Sequence, residues 1–230
     1  MSFNINLRSL MPEFFKLSKT TLIKGMQCEL YLYLLKHRPK EKTPHDALTL
    51  QKFDQGKSFE ARFKDTFPGG IAVDQALGKD IYAIGSSFTK AIFEQGQAAT
   101  LFEACFLYRQ TLVMADVCQV YADGSFDLYE VKNGTEAREV FLRDMAIQYY
   151  VIKNTRQELR HFYLVLNDGE DGFVVKDMTE TLEAELPRLE ALVPRLLQTL
   201  LLPEAPEILM GAQCHKPYDC EYIAYCTKKK

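Results

Sequence analysis

The spacing of apolar residues predicts helices at the start of the chain and strands at its centre. Apolar residues at intervals of three and four predict a helix over 19–37. Pro44 with the apolar residues that follow it predicts a second helix over 44–63, and a serine cap at 86 or 87 predicts a short helix over 86–96. Segments dense in β-branched and aromatic residues predict strands over 100–108 and 111–121. The turn dipeptide Asp123-Gly124 then predicts a hairpin whose returning strand covers 126–132.

The second half of the chain returns to the helical pattern. We expect an amphipathic helix over 136–153, a short strand over 162–166 and a long helix over 178–202, interrupted or kinked at Pro187 and Pro194. A hairpin followed by helix, strand and helix indicates an α/β fold, with a mixed sheet flanked by helices.

Composition narrows the class of protein. The 230 residues include six cysteines and carry a net charge of −3. The first twenty residues lack the apolar run of a secretory signal, and no segment has the apolar length of a membrane span, so we expect a cytoplasmic protein with no membrane partner. In that compartment the cysteines are expected to be reduced or metal-bound. The negative charge counts only mildly against a nucleic-acid partner, because a metal site can itself be acidic.

Charged residues interrupt two of the predicted strands. Asp116 lies in an apolar strand, where a carboxylate is costly unless another charge meets it, and Glu130 and Lys132 follow on the returning strand. A two-residue hairpin loop would place Asp116 opposite Val131, on the wrong face. We predict instead the three-residue loop 123–125, which places Asp116 opposite Lys132 and diagonal to Glu130.

Two explanations fit this group of charges. Two carboxylates and a lysine suit Mg²⁺ chemistry, in which a bound water of lowered pKa attacks a phosphodiester and the lysine orients or deprotonates that water or neutralises developing charge. Alternatively, Asp116 and Lys132 form a buried salt bridge and Glu130 is exposed. The spacing alone leaves both explanations open.

The cysteines have an uneven distribution. Cys214, Cys220 and Cys226 are separated by five residues each, and Cys28 lies near the start of the chain. Four cysteines can hold a 4Fe–4S cluster or a structural zinc, joining the two ends of the chain. Cys105 and Cys118 lie within predicted strands and are expected to be buried as small apolar residues.

Together these features resemble the PD-(D/E)xK nuclease superfamily. Asp116, then Glu130-Val131-Lys132, then a glutamine on the following helix are similar to its motif. One cysteine before this core and three after it resemble the RecB-type iron–sulfur branch, which includes CRISPR-associated exonucleases and uncharacterised bacterial relatives. The resemblance spans nearly the whole chain. It implies a restriction-endonuclease-like mixed sheet and a 4Fe–4S cluster on the four cysteines.

The resemblance also implies a role for individual residues. Metal ligands for Mg²⁺ or Mn²⁺ would be Asp116, Glu130, the carbonyl of Val131 and, from an earlier helix, Glu60. Lys132 would be the catalytic lysine. The sequence departs from the family pattern at two places: Ala115 stands where a proline often precedes the aspartate, and Ile152 stands where a tyrosine often follows the glutamine.

Further residues follow from the helix after the motif and from the cysteine segment. Gln148 matches the family's glutamine, which orders the lysine or contacts DNA. Tyr149 and Tyr150 are possible DNA contacts by base stacking, with packing inside the helix as the alternative. Lys216 is a further possible DNA contact, and Asp144 is expected to be a surface charge.

The sequence therefore predicts a single nuclease domain over 1–230. Residues 1–45 and 203–230 would form a cluster-binding lobe, and 46–202 the nuclease core. The expected function is a metal-dependent deoxyribonuclease, an exonuclease acting on single-stranded DNA or DNA ends. The alternative is a non-catalytic nucleic-acid-binding module stabilised by the iron–sulfur cluster.

Overall fold

A mixed, open β-sheet with helices on both faces forms the centre of the molecule. The computed structural model describes residues 5, 7 and 10–228, so parts of the predicted N-terminal lobe and the last two lysines lie outside the described residues. The strands are β1 (Leu17–Ser18), β2 (Ile71–Ala72), β3 (Ala99–Tyr108), β4 (Thr111–Val120), β5 (Phe126–Lys132), β6 (Leu159–Asn167) and β7 (Phe173–Asp177). The predicted α/β class is confirmed.

Seven strands of the described range belong to one sheet, in the order β2-β3-β4-β5-β6-β7, and β1 pairs separately with β4. The pairs β3/β4, β4/β5 and β6/β7 are antiparallel. The pairs β2/β3, β5/β6 and β1/β4 are parallel. Because β3 pairs with the whole length of β4, β1 must lie on the other edge of β4, the edge that also pairs with β5. The strand β1 therefore enters the sheet between β4 and β5.

The helices cover both faces of this sheet. They are α1 (Lys19–Gln27), α2 (Glu29–His37), α3 (Ala47–Lys64), α4 (Val73–Leu77), α5 (Ile81–Phe93), α6 (Glu139–Thr155), α7 (Thr179–Glu183), α8 (Leu186–Thr199) and α9 (Ile223–Lys228). Residues of α1, α5, α6 and α8 share the larger hydrophobic core with the sheet. On the other face, Phe59 and Phe63 of α3 pack with Val117, Val131 and Val165. None of the described helices is long and apolar enough to cross a membrane.

The predicted helix over 19–37 is wrong in one respect, because it is two helices. Cys28 separates α1 from α2 with an extended backbone, at φ −160° and ψ 117°. Its N–H still donates to the carbonyl of Lys24, and its own carbonyl accepts from Tyr31 in the first turn of α2. No glycine or proline marks this break, so apolar spacing could not predict it.

Other elements also differ from their predicted bounds. The helix predicted over 86–96 begins earlier, at Ile81, where its apolar face packs on β3. The interruption predicted near Pro187 in the helix over 178–202 is confirmed, because the segment forms α7 and α8 and Pro187 lies in the first turn of α8, where a missing N–H is tolerated. Pro194 remains inside α8. Strand β7 was not predicted, since most of its residues are exposed at the sheet edge and show no apolar alternation.

Candidate active site at the fork between β4 and β5

The site lies where β4 and β5 separate. The two strands pair from Val117 with Tyr129 to Val120 with Phe126, and β1 pairs with β4 further along, at Thr111. Asp116 is therefore the first residue of β4 beyond the paired segment. Its Oδ2 accepts a hydrogen bond of 2.7 Å from the backbone N–H of Val131, across the opening of the fork.

The predicted hairpin register is wrong by two residues. The turn uses residues 122–124 rather than 123–125: the N–H of Tyr121 donates to the carbonyl of Ser125, and Gly124 has the positive φ of +84° that closes such a turn. Extension of this register by one residue beyond the pair of Val117 and Tyr129 places Asp116 opposite Glu130 instead of Lys132. Because the shift is even, the three residues still share one face, as predicted.

Three carboxylates meet at the fork. Oxygens of Glu60, Glu103 and Asp116 all lie within 4.8 Å of one another. Glu60 comes from α3, which confirms that it lies close to Asp116 as the resemblance implied. Glu103 comes from β3 and was missed. The pairing on either side of it places it across from Asp116. A carboxylate inside an apolar strand was the available signal.

Two features of this carboxylate group are unusual. Glu103 has a φ of +55°, which is uncommon for a residue other than glycine and changes the direction of its side chain within β3. The ammonium of Lys64 bridges the group, at 2.5 Å from Glu60 Oε1 and 2.7 Å from Glu103 Oε1. An ammonium group is thus already part of this cluster.

Burial makes the negative charge of the group costly. It raises the pKa of Asp116 well above the ordinary value, and the charge of Glu130 raises it further, while Lys19 and Lys132 oppose the shift. Burial also raises the pKa of Glu103, against the opposing charge of Lys64. These carboxyl groups therefore hold protons more tightly than free aspartate or glutamate, which a bound cation would reverse.

Lys132 and Glu130 belong to a second set of charges beside the first. Glu130 is fully buried, and its Oε1 accepts from Lys132 at 2.6 Å and from Lys19 at 3.1 Å. Its Oε2 accepts from the Gln148 amide at 2.6 Å. The same two lysines contact Asp144, which is buried rather than the surface charge we expected.

These contacts fix the charges of Glu130 and Lys132. Burial alone would raise the pKa of Glu130, but the charges of Lys132 and Lys19 hold that pKa far below its usual range. Burial alone would lower the pKa of Lys132, but Asp144 and Glu130 hold it well above its usual range. Lys132 is therefore an ammonium ion at neutral pH, which favours charge neutralisation or orientation over proton abstraction.

The residues that the sequence assigned to one metal site have different contacts, and Glu130 as a metal ligand stays a prediction. Among the described residues, Glu60, Glu103 and Asp116 form the group with metal-ligand spacing, and Glu130 is not a member. The buried salt bridge of the alternative explanation joins Lys132 to Glu130, whereas Asp116 accepts from the Val131 backbone. The carbonyl of Val131 as a ligand stays a prediction.

Formal charges across the fork do not balance. With all five carboxyl groups ionised, five carboxylates face three lysines, which leaves two negative charges; the eight residues are Glu60, Glu103, Asp116, Glu130, Asp144, Lys19, Lys64 and Lys132. One divalent cation would neutralise this excess. The ligand group is built entirely of carboxylates, which suits Mg²⁺ or Mn²⁺ better than a soft metal.

All four cysteines of the predicted cluster lie around one cavity, but among the described residues no three of their sulfur atoms lie within 4.8 Å of one another. Cys28, Cys214, Cys220 and Cys226 line one cavity, together with apolar residues such as Tyr31, Leu34, Met210 and Tyr222. A shared cavity with apolar walls fits a metal centre bound by thiolates. Cys105 and Cys118 are buried in the sheet, as expected, and burial raises the pKa of Cys105 to about 12.

The predicted DNA contacts have different outcomes. Tyr149 and Tyr150 are only 1% and 0% exposed and pack in the main hydrophobic core, so both rings follow the packing alternative and not the stacking on bases. The ring of Tyr150 contacts that of Tyr108 in β3, with centroids 5.6 Å apart. Lys216 is exposed, and its contact with DNA stays a prediction.

No protein-family model matches this chain, and no curated protein shows a significant match to it.

Proposed function

We propose that the chain is a metal-dependent deoxyribonuclease with a restriction-endonuclease-like core, acting on single-stranded DNA or DNA ends. The observation that carries the proposal is the carboxylate group of Glu60, Glu103 and Asp116 beside a half-buried, charged Lys132. Net excess negative charge in a fork of the sheet provides a reason for a divalent cation to bind there. The cytoplasmic location remains part of this proposal.

Each residue has a specific task in this mechanism. Glu60, Glu103 and Asp116 would hold Mg²⁺ or Mn²⁺, which supplies a bound water of lowered pKa and polarises the scissile phosphate. Lys132 offers a fixed positive charge toward the negative charge that develops on the phosphoryl oxygens. Glu130 and Asp144 fix the Lys132 ammonium from two sides.

Gln148 supports the same arrangement from α6. Its amide nitrogen donates to Glu130 Oε2 at 2.6 Å, so Oε1 remains the oxygen that meets the lysines. This contact corresponds to the ordering role that the resemblance gives to the glutamine. Because both side chains are fully buried, Gln148 has no path to DNA in this conformation and acts through Glu130.

The cysteine cavity is the second part of the proposal. Cys28, Cys214, Cys220 and Cys226 would hold a 4Fe–4S cluster that joins the first helices to the tail. A brown protein with broad visible absorption and bound iron would support this assignment. A colourless protein that contains zinc would contradict it and would favour a structural zinc in the same cavity.

Cleavage of end-labelled DNA tests the proposed activity. Single- and double-stranded substrates, free or blocked at either end, are incubated with and without Mn²⁺. We expect Mn²⁺-dependent cleavage by the wild type that requires a free end, and its loss in Asp116→Ala and Lys132→Ala. Full activity in both purified variants would disprove the proposal. DNA binding by the wild type without any turnover would favour the alternative, a non-catalytic binding module.

A further inference from the structure

Lys19 is a residue of the fork that no sequence pattern indicated. It is the first residue of α1 and follows β1, which enters the sheet between β4 and β5. Its ammonium lies 3.1 Å from Glu130 Oε1 and 3.4 Å from Asp144 Oδ1. The side chain is only 20% exposed. Lys19 and Lys132 thus share the same two carboxylates.

The local sequence explains how Lys19 is held in place. Ser18 caps α1: its hydroxyl accepts from the backbone N–H of Thr21, and the Thr21 hydroxyl accepts from the backbone N–H of Ser18. This reciprocal cap fixes the direction in which α1 leaves the strand. Ser18 itself pairs with Leu112 of β4. The Lys19 side chain therefore starts from a rigid position.

The other end of α1 is attached to the cysteine segment. The Gln27 amide donates to the backbone carbonyls of Gln213 and Tyr218, both at 2.7 Å. Lys24 forms a salt bridge of 2.9 Å with Glu221, and Cys28 follows the helix directly. A nine-residue helix, about 13 Å long, joins these contacts to Lys19.

We infer that Lys19 is a positioning residue of the fork, and that α1 transmits the packing of the cysteine-lined tail to Glu130 and Asp144. The inference rests on the proposed function for its kinetic consequence. Its structural basis is independent, because the same helix contacts the acidic site at one end and the tail at the other. A tail that loosens would release α1, withdraw the Lys19 ammonium and leave Lys132 as the sole cation on two buried carboxylates.

A substitution that removes the charge of Lys19 should change Mn²⁺ affinity and DNA turnover in opposite directions. Lys19→Met removes one positive charge near the carboxylate group, so Mn²⁺ should bind roughly threefold to tenfold more tightly on Coulombic grounds. Turnover of single-stranded DNA should fall at least tenfold, because Glu130 loses a partner that orients it. Lys19→Arg keeps the charge and should restore the wild-type Mn²⁺ affinity and part of the turnover. A general loss of structure would instead weaken Mn²⁺ binding in both variants.

Gln27→Ala tests the transmission along α1. It removes two contacts to the tail without touching the fork, and Gln198→Ala, at an exposed position of α8, is the matched control. We expect Gln27→Ala to lower turnover about fivefold in the wild-type background and less than twofold in Lys19→Met, because coupled residues are not additive. Equal effects in both backgrounds would refute the transmission, and wild-type behaviour of Lys19→Met would refute the positioning role.

These outcomes are distinct from failure of the proposed function. If the wild type shows no cleavage of any DNA, the nuclease assignment fails. In that case, calorimetric titrations with Mn²⁺ of the wild type, Lys19→Met and Lys19→Arg still test the positioning role of Lys19. An Mn²⁺ affinity that is unchanged across all three would overturn the inference without reference to activity.

Discussion

Lys64 provides the sharpest test of the carboxylate group, because it occupies the place of a cation there. Its ammonium bridges Glu60 and Glu103, and its side chain is only 18% exposed. Burial would lower its pKa, but Glu103 and Glu60 raise that pKa above the ordinary value, so the ammonium persists at neutral pH. A divalent cation that binds these carboxylates must displace it.

The size of the effect on Mn²⁺ affinity follows from the Lys64 contacts that the metal ion displaces. A hydrogen bond between charged groups contributes about 1.5–3 kcal/mol net, so the competition by Lys64 costs Mn²⁺ about 2 kcal/mol, or roughly 30-fold in affinity. Lys64→Met should therefore bind Mn²⁺ about 30-fold more tightly than the wild type. The metal-free variant should lose about 2 kcal/mol of unfolding free energy, a fall in Tm of about 4–8 °C.

Calorimetric titration with Mn²⁺ and thermal unfolding with and without Mn²⁺ measure both effects. Lys90→Met is the control, since Lys90 forms an exposed pair of 3.7 Å with Glu94 on α5. That variant should keep the wild-type Mn²⁺ affinity and lie within about 0.5 kcal/mol of wild-type stability. Mn²⁺ affinity in Lys64→Met that equals or falls below the wild-type value would refute the reasoning.

Three further predictions concern the neighbouring groups. Because the pKa of Asp116 is raised, its protonated form stabilises the metal-free fold below the ordinary value of 3.8, and this contribution is lost as pH rises through the folded pKa. Mn²⁺ affinity and the Mn²⁺-induced rise in Tm should therefore both increase from pH 5 upward, and Mn²⁺ binding should release protons. An Mn²⁺ affinity that does not change with pH would contradict this. Gln148→Leu removes the bond to Glu130 Oε2 and should lower turnover about tenfold with a stability change of about 1–2 kcal/mol, measured by DNA cleavage and denaturant unfolding. Cys28→Ser should lower bound iron and visible absorption, whereas Cys105→Ser, buried in β3, should leave the iron content unchanged.

The sequence predicted which face of the sheet the three charged residues share better than it predicted which residues of β4 and β5 pair. Asp116, Glu130 and Lys132 were expected to share one face, and they do, because the period of a strand is two residues. Their pairing was wrong because the turn begins one residue earlier than the Asp-Gly dipeptide suggests. A register shift by an even number of residues leaves each side chain on the same face of the sheet. The predicted shared face is therefore unaffected by the error in pairing.

Residues from distant elements could not be predicted by such patterns. Glu103 had one signal, a carboxylate within an apolar strand, but the direction of its side chain depends on a positive φ in the middle of that strand, which no residue type indicates. Lys19 is 111 residues from Glu130 and reaches it because β1 enters the fork. Asp144 looked like a solvated helix charge, since its two lysine partners are visible only in three dimensions. Local sequence predicts individual helices and strands, whereas these three contacts depend on how the helices and strands pack together in the fold.

The position of a bound metal ion tests the central claim most directly. Crystals grown with Mn²⁺ and measured near the manganese absorption edge locate the ion by its anomalous scattering. We predict one peak within coordination distance of Glu60, Glu103 and Asp116, with the Lys64 ammonium withdrawn from both glutamates. Crystals that hold Mn²⁺ elsewhere, or none, with Lys64 still bridging Glu60 and Glu103 would contradict the account.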